Sequence, residues 1–192
     1  MAYETYTTEA LVCGTKNRNT ADRSYLLFTR EAGMLFADAR SVREERSRQR
    51  YALQDFSLVR VTLVKGKAGW KIGSIEPQNN FYHDAVDQQA RGSVVGIVRL
   101  LRRFLRGEEA QSDLFDYTKA VLCVLAGEVA TRQFVVLVVQ VELLRQLGYV
   151  AADHVPEQLR NMQPAQIPER FDAHKLKQLE KLYSQAISVS HL

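Results

Sequence analysis

The stretch that decides the fold is Arg23-Ser24-Tyr25-Leu26-Leu27-Phe28-Thr29, then Arg30-Glu31-Ala32, then Gly33-Met34-Leu35-Phe36-Ala37-Asp38-Ala39. Two short runs rich in aromatic and aliphatic residues, broken by a polar cluster and a glycine, carry the signal of strands. They predict strands over residues 23–29 and 33–39. Working outward, residues 8–15 form a similar run on the N-terminal side. On the C-terminal side, residues 56–65 alternate, with Val59, Val61 and Leu63 pointing one way and Arg60 and Thr62 the other. A fifth strand over residues 70–76 follows the tight Lys65-Gly66-Lys67-Ala68-Gly69 connection, which reads as a hairpin.

Between the third and fourth strands, residues 40–54 are polar and charged, with room for a short helix. Five strands with a helix or loop between the third and fourth is the plan of the OB barrel, although an SH3-like small barrel fits the pattern nearly as well. After Pro77 the period changes. Val94, Ile97, Val98, Leu101 and Leu105 share one face of a helix over residues 92–106. A second helix is expected from Ser112, a natural N-cap, to Ala126, and a third over residues 130–147, stopped by Gly148. Residues 151–168 hold three of the four prolines and read as loop, after which Asp172 is placed to cap a last helix carrying Leu176, Leu179, Leu182, Tyr183 and Ile187. The fold class is therefore α+β, an N-terminal five-stranded OB-type barrel over residues 1–78 followed by an all-α domain over residues 79–192.

With 46% hydrophobic and 25% charged residues, the 192-residue chain has the composition of an ordered globular protein. Its longest apolar run, residues 134–144, contains Gln140 and Glu142 and is too short to span a bilayer, so it reads as a buried helix. The N-terminus lacks the charge and apolar core of a secretory signal, and cytoplasmic residence without membrane attachment is the expectation. Cys13 and Cys123 are too far apart to suggest a metal or redox motif, and His83, His154, His174 and His191 show no ligand spacing. No glycine-rich phosphate loop and no nucleophile elbow occurs, so neither catalysis, a metal nor a cofactor is expected.

The net charge of +4 is unevenly spread along the chain. Residues 1–80 hold thirteen Lys and Arg against nine Asp and Glu, whereas residues 81–192 hold thirteen of each. A polyanion would meet the first part. Arg40, Arg43, Arg46, Arg48 and Arg50 crowd the connection between the third and fourth strands, and a polar connection rich in arginine suits phosphate. Lys16, Arg18 and Arg23 flank the first connection, and Lys65, Lys67 and Lys71 the last hairpin, where OB barrels hold strands. Tyr25, Phe28, Phe36 and Trp70 are the aromatic candidates for base stacking, about half of them expected to face inward. Arg99, Arg102, Arg103 and Arg106 recur at helical spacing and either extend the basic surface or form a solvated face.

Several of these segments resemble the RecO family of bacterial recombination mediators. Tyr25 to Gly33 is similar to the family's apolar strand followed by "FTRE.G"; Phe56-Ser57-Leu58-Val59 stands where the family starts its fourth strand; and Val141-Glu142-Leu143-Leu144-Arg145-Gln146-Leu147-Gly148-Tyr149 resembles its "LRLLRLLGY" helix end. Many members carry a four-cysteine zinc module after that helix, and this chain has no cysteine there. The resemblance implies binding of single- and double-stranded DNA, strand annealing, and loading of RecA together with RecR on strands covered by single-stranded-DNA-binding protein. Two other readings of the residues stay open: an OB module for nucleic acid with no part in recombination, and a protein adaptor whose cations only solubilise it.

Overall fold

The computed structural model describes residues 4–47, 49–167 and 173–189. Its first half is a closed five-stranded barrel in the order β1-β2-β3-β5-β4, built from β1 (Glu4–Asn17), β2 (Arg23–Thr29), β3 (Gly33–Ala39), β4 (Ser57–Gly66) and β5 (Gly69–Asn80). A short helix α1 (Gln49–Ala52) lies between β3 and β4. All neighbours are antiparallel except β3 and β5, which meet in parallel at Ala37↔Trp70 and Asp38↔Lys71. This is the OB topology, and the strands at residues 23–29 and 33–39 have the expected bounds.

Two strands run longer than the pattern suggests. β1 pairs with β4 over residues 4–11 and with β2 over residues 10–17. The register slips between Val12 and Gly14, leaving Cys13 as a bulge, and a bulge bends a strand so that it can serve two partners. In β5, Pro77 reads as a stop because it lacks an amide donor. It sits instead beside a register shift, the place where a sheet tolerates proline, and the strand resumes through Asn79 and Asn80.

Alternation fills the interior. Ala10, Val12, Tyr25, Leu27, Leu35, Ala37, Val59, Val61, Leu63 and Trp70 form a common core, which Val42 and Leu53 from the β3–β4 connection join. Outside the barrel, Phe28 meets Phe115 edge to face at 5.2 Å. The compact barrel unit accordingly takes in Met1–Asp84 and Arg106–Phe115. A boundary at residue 78 would fall inside β5.

The second unit comprises Ala85–Leu105 and Asp116–Leu192. Helix α2 (Gln88–Phe104) begins four residues before the expected start because Asp87 accepts a hydrogen bond from the Ala90 amide at 2.6 Å. Helix α3 (Ser112–Ala126) has its expected bounds, and α4 (Arg132–Gln146) starts two residues late. Arg132 donates to the carbonyls of Leu125 and Gly127, both at 2.6 Å, and so closes the end of α3. Gly148, at φ +81°, ends α4, and the Tyr149 amide turns back to the Leu144 carbonyl at 2.8 Å. Short 3-10 turns at Ala152–His154, Glu157–Leu159 and Pro164–Gln166 occupy the expected loop, and α5 (Ala173–Val189) follows. The expected cap Asp172 lies outside the described residues. Among the described residues no helix is long and apolar enough to cross a membrane.

Gly33 leaves little room for a side chain. It has φ +66°, and a Cβ there would meet the Glu109 carbonyl and stand 2.8 Å from that of Gly107, while the adjacent Met34 amide donates to Gly107 at 3.0 Å. Gly69 also has positive φ, at +104°, but its Cβ would meet nothing within 4 Å. Gly33→Ala should therefore cost about 2 kcal/mol or more and Gly69→Ala about 1 kcal/mol in urea unfolding. Equal costs would contradict the close approach.

The arginines of α2 divide in the same way. Arg99 and Arg102 are exposed, whereas Arg103 is half-buried, donates to the Ile187 carbonyl at 3.0 Å and lies 5.4 Å from the Phe104 ring centre. Arg103→Ala should cost about 1–3 kcal/mol in thermal or urea unfolding, and Arg99→Ala or Arg102→Ala no more than about 0.5 kcal/mol.

Candidate nucleic-acid interface

The β1–β2 connection is built on Asn19, whose side-chain oxygen accepts the amides of Ala21 and Asp22 at 2.9 and 2.6 Å. This is the local turn that a short amide side chain favours. The β3–β4 connection is seated on it. Asp22 accepts the Ser41 amide at 2.8 Å, the Arg43 amide donates to the Ala21 carbonyl at 3.0 Å, and the Arg43 guanidinium donates to the Asn19 carbonyl at 2.8 Å. The Ser41 amide and then the Asn19 side chain, assisted by the charges of Arg40 and Arg18, hold the Asp22 carboxyl below the ordinary aspartate range. Two stretches far apart in sequence are thus one platform.

The cations of that platform do different jobs. Lys16, Arg40 and Arg46 are exposed. Arg18 is exposed and pairs with Asp38. Arg23 is half-buried and donates to Asn17 at 3.2 Å, and Arg43 is committed to the turn. Arg50 folds over the Tyr51 ring, 5.0 Å from its centre. Arg48 lies outside the described residues. At the β4–β5 turn Lys67 is exposed, Lys71 is half-buried opposite Asp38, and Lys65 lies over the Trp70 ring at 4.9 Å.

A groove of about 430 Å³ lies on the barrel between these connections, lined among others by Arg18, Ser24, Phe36, Asp38, Trp70 and Glu108. OB barrels bind oligonucleotides on this same face, over β2 and β3 between the first and last connections. Of the four aromatic candidates, Tyr25, Phe28 and Trp70 are buried and Phe36 alone is open, with 57% of its surface exposed. Phe36 is the residue left to stack on a base. One signal for it was present in the sequence. Phe36 has the same strand parity as the charged Asp38, which belongs outside. Tyr6, which meets Trp70 edge to face at 5.6 Å, and Tyr51 are further exposed aromatics that the pattern did not nominate.

The charge distribution differs from the linear reading. Glu108, Glu109 and Asp113 travel with the barrel unit, which holds fourteen Lys and Arg against thirteen Asp and Glu; the helical unit holds twelve against nine. The excess of residues 1–80 is therefore a local property of the barrel's connections and not of the folded unit. The Arg99 to Arg106 stripe also breaks up. Arg103 is tied down, and Arg106 lies beyond α2 because Leu105, at ψ 123°, has already left the helix.

Comparison with known proteins agrees with this architecture. Residues 1–81 match the family model described as recombination protein O N terminal. The DNA repair protein RecO of Desulfitobacterium hafniense (strain DSM 10664 / DCB-2) is 28% identical over 144 residues, which is 75% of this chain and 52% of that protein. The RecO of Heliobacterium modesticaldum is 31% identical over 149 residues, again 75% and 52%, and that of Myxococcus xanthus is 29% identical over 120 residues, 62% and 49%. The chain spans about half the length of these curated relatives. The closed OB barrel thus matches the recombination protein O N-terminal model, and the similarity to RecO proteins continues into the helices, over three quarters of the chain.

Proposed function

We propose that this protein acts in DNA repair as a recombination mediator and not as an enzyme, binding single- and double-stranded DNA through the barrel. The observation that carries the reading is the open Phe36 in a groove lined by Arg18 and by Ala68 and Gly69 of the β4–β5 turn, with the exposed Lys16, Arg40 and Lys67 close by in sequence at the barrel's connections. Phosphate contacts of this kind are blind to sequence, and a stacked aromatic accepts any base, so binding is largely sequence-independent. In this proposal the protein promotes annealing of complementary strands in the cytoplasm. It works with RecR to load RecA on strands covered by single-stranded-DNA-binding protein, and it needs no cofactor or metal.

Binding of labelled single-stranded, duplex and RNA oligonucleotides, measured by anisotropy over a range of salt, tests this. The variant Lys16→Ala, Arg40→Ala, Arg46→Ala, Lys67→Ala should stay folded, since exposed charge substitutions change stability by only about 0.5 kcal/mol each. Its plot of log affinity against log salt should flatten by roughly 0.7 per lost contact on single strands and 0.9 on duplex. A folded variant with unchanged affinity and slope would move the site off these connections. Salt-independent binding by the unmodified chain, or none, would favour a protein adaptor, and preference for RNA would favour a module outside recombination.

A further inference from the structure

The groove beside Phe36 already holds an anion of the protein's own. The Glu108 carboxylate accepts the Trp70 indole N–H at 3.0 Å and lies 3.7 Å from the Lys65 ammonium, which itself sits over the Trp70 ring. Glu108 is carried on residues 107–109, the strap that Gly33 admits, and Gly107, at φ +91°, gives it a turn that other residues rarely adopt. The strap is fixed through its backbone at Met34, whereas the Glu108 side chain is half exposed.

We propose that Glu108 is an internal competitor for nucleic acid, holding the place of a strand phosphate on Lys65 and withdrawing when a strand enters. The proposal rests on the DNA-binding reading and adds to it a residue that weakens binding. Its consequence is specific. While Glu108 neutralises Lys65, exchanging the carboxylate for a phosphate releases no net counterion, so Lys65 adds little to the salt dependence. With Glu108 uncharged, Lys65 contributes like any other phosphate contact.

The test uses the full chain, an oligothymidine strand, and the variants Glu108→Gln, Glu109→Gln and Lys65→Ala. Glu109 is an exposed acid on the same strap and controls for net charge alone. Glu108→Gln should tighten binding by about two- to fivefold at low salt, the weight of one partly exposed ion pair. It should also steepen the salt slope by roughly 0.7. Glu109→Gln should change affinity by less than about twofold, since a screened charge without a partner carries little weight. Lys65→Ala should weaken binding more in the Glu108→Gln background than in the unmodified chain. Trp70 is the chain's single tryptophan, so its emission should change as the strand displaces the carboxylate from the indole. Equal binding by the unmodified chain and Glu108→Gln, or equal effects of the two glutamine variants, overturns the competitor and leaves the DNA-binding reading standing. Absence of binding by both overturns that reading and the competitor with it. Binding by Glu108→Gln alone supports both.

Discussion

The bend of β1 at Cys13 is the constraint on which the remaining architecture rests. One strand must pair with β4 through its first half and with β2 through its second, and the inserted residue between Val12 and Gly14 lets it turn from one to the other. Without that bend the sheet would keep open edges, each a row of unpaired amides and carbonyls. Closure buries Tyr25, Leu27, Val59 and Val61 on one side. On the other it turns Ser24, Phe36 and Asp38 toward the groove. The site is therefore a consequence of the barrel's register.

Closure also gathers cations that the sequence scatters. The first and third connections are joined by the Asp22–Ser41 and Arg43–Ala21 hydrogen bonds, and the β3–β5 pairing brings Lys71 beside Asp38. Some of the basic residues serve this assembly. Arg43 supports a turn, Arg50 covers Tyr51 and Arg103 holds the end of α5. Those left for a ligand stand in a unit whose total charge is close to balanced. In the proposed reading, attraction of a polyanion is therefore short-range, set by which cations face the groove and which carboxylates pair with them.

Most of the barrel was legible because strand alternation is a local property. Val59, Val61 and Leu63 announce their inward face without help from the rest of the chain. β2 and β3 have the expected bounds because a polar cluster and a glycine separate their apolar runs, and α3 because Ser112 marks its start. What was not legible depends on partners distant in sequence. The extensions of β1 and β5 need bulges that only the facing strand defines, and the start of α2 needs the Asp87 cap, which an apolar pattern does not register. The groove was legible in part. Its cations were visible as clusters on connections. Three of the four aromatic candidates are buried, since Tyr25 and Trp70 belong to the barrel core and Phe28 is covered by Phe115, a partner distant in sequence. Glu108 was invisible as a groove residue, because it follows a helix that belongs to the other unit.

The most direct test of the central claim, that DNA lies on the β2–β3 face between the first and last connections, is mapping of amide and indole chemical shifts. The labelled full chain would be titrated with a short oligothymidine strand at low salt. The account predicts that the shifts of Ser24, Phe36, Asp38 and the Trp70 indole move together with those of the Asn19 and Lys67 connections, saturating at one affinity. Shifts confined to the helical residues around Arg99 and Arg102, with Phe36 and Trp70 unmoved, would contradict it.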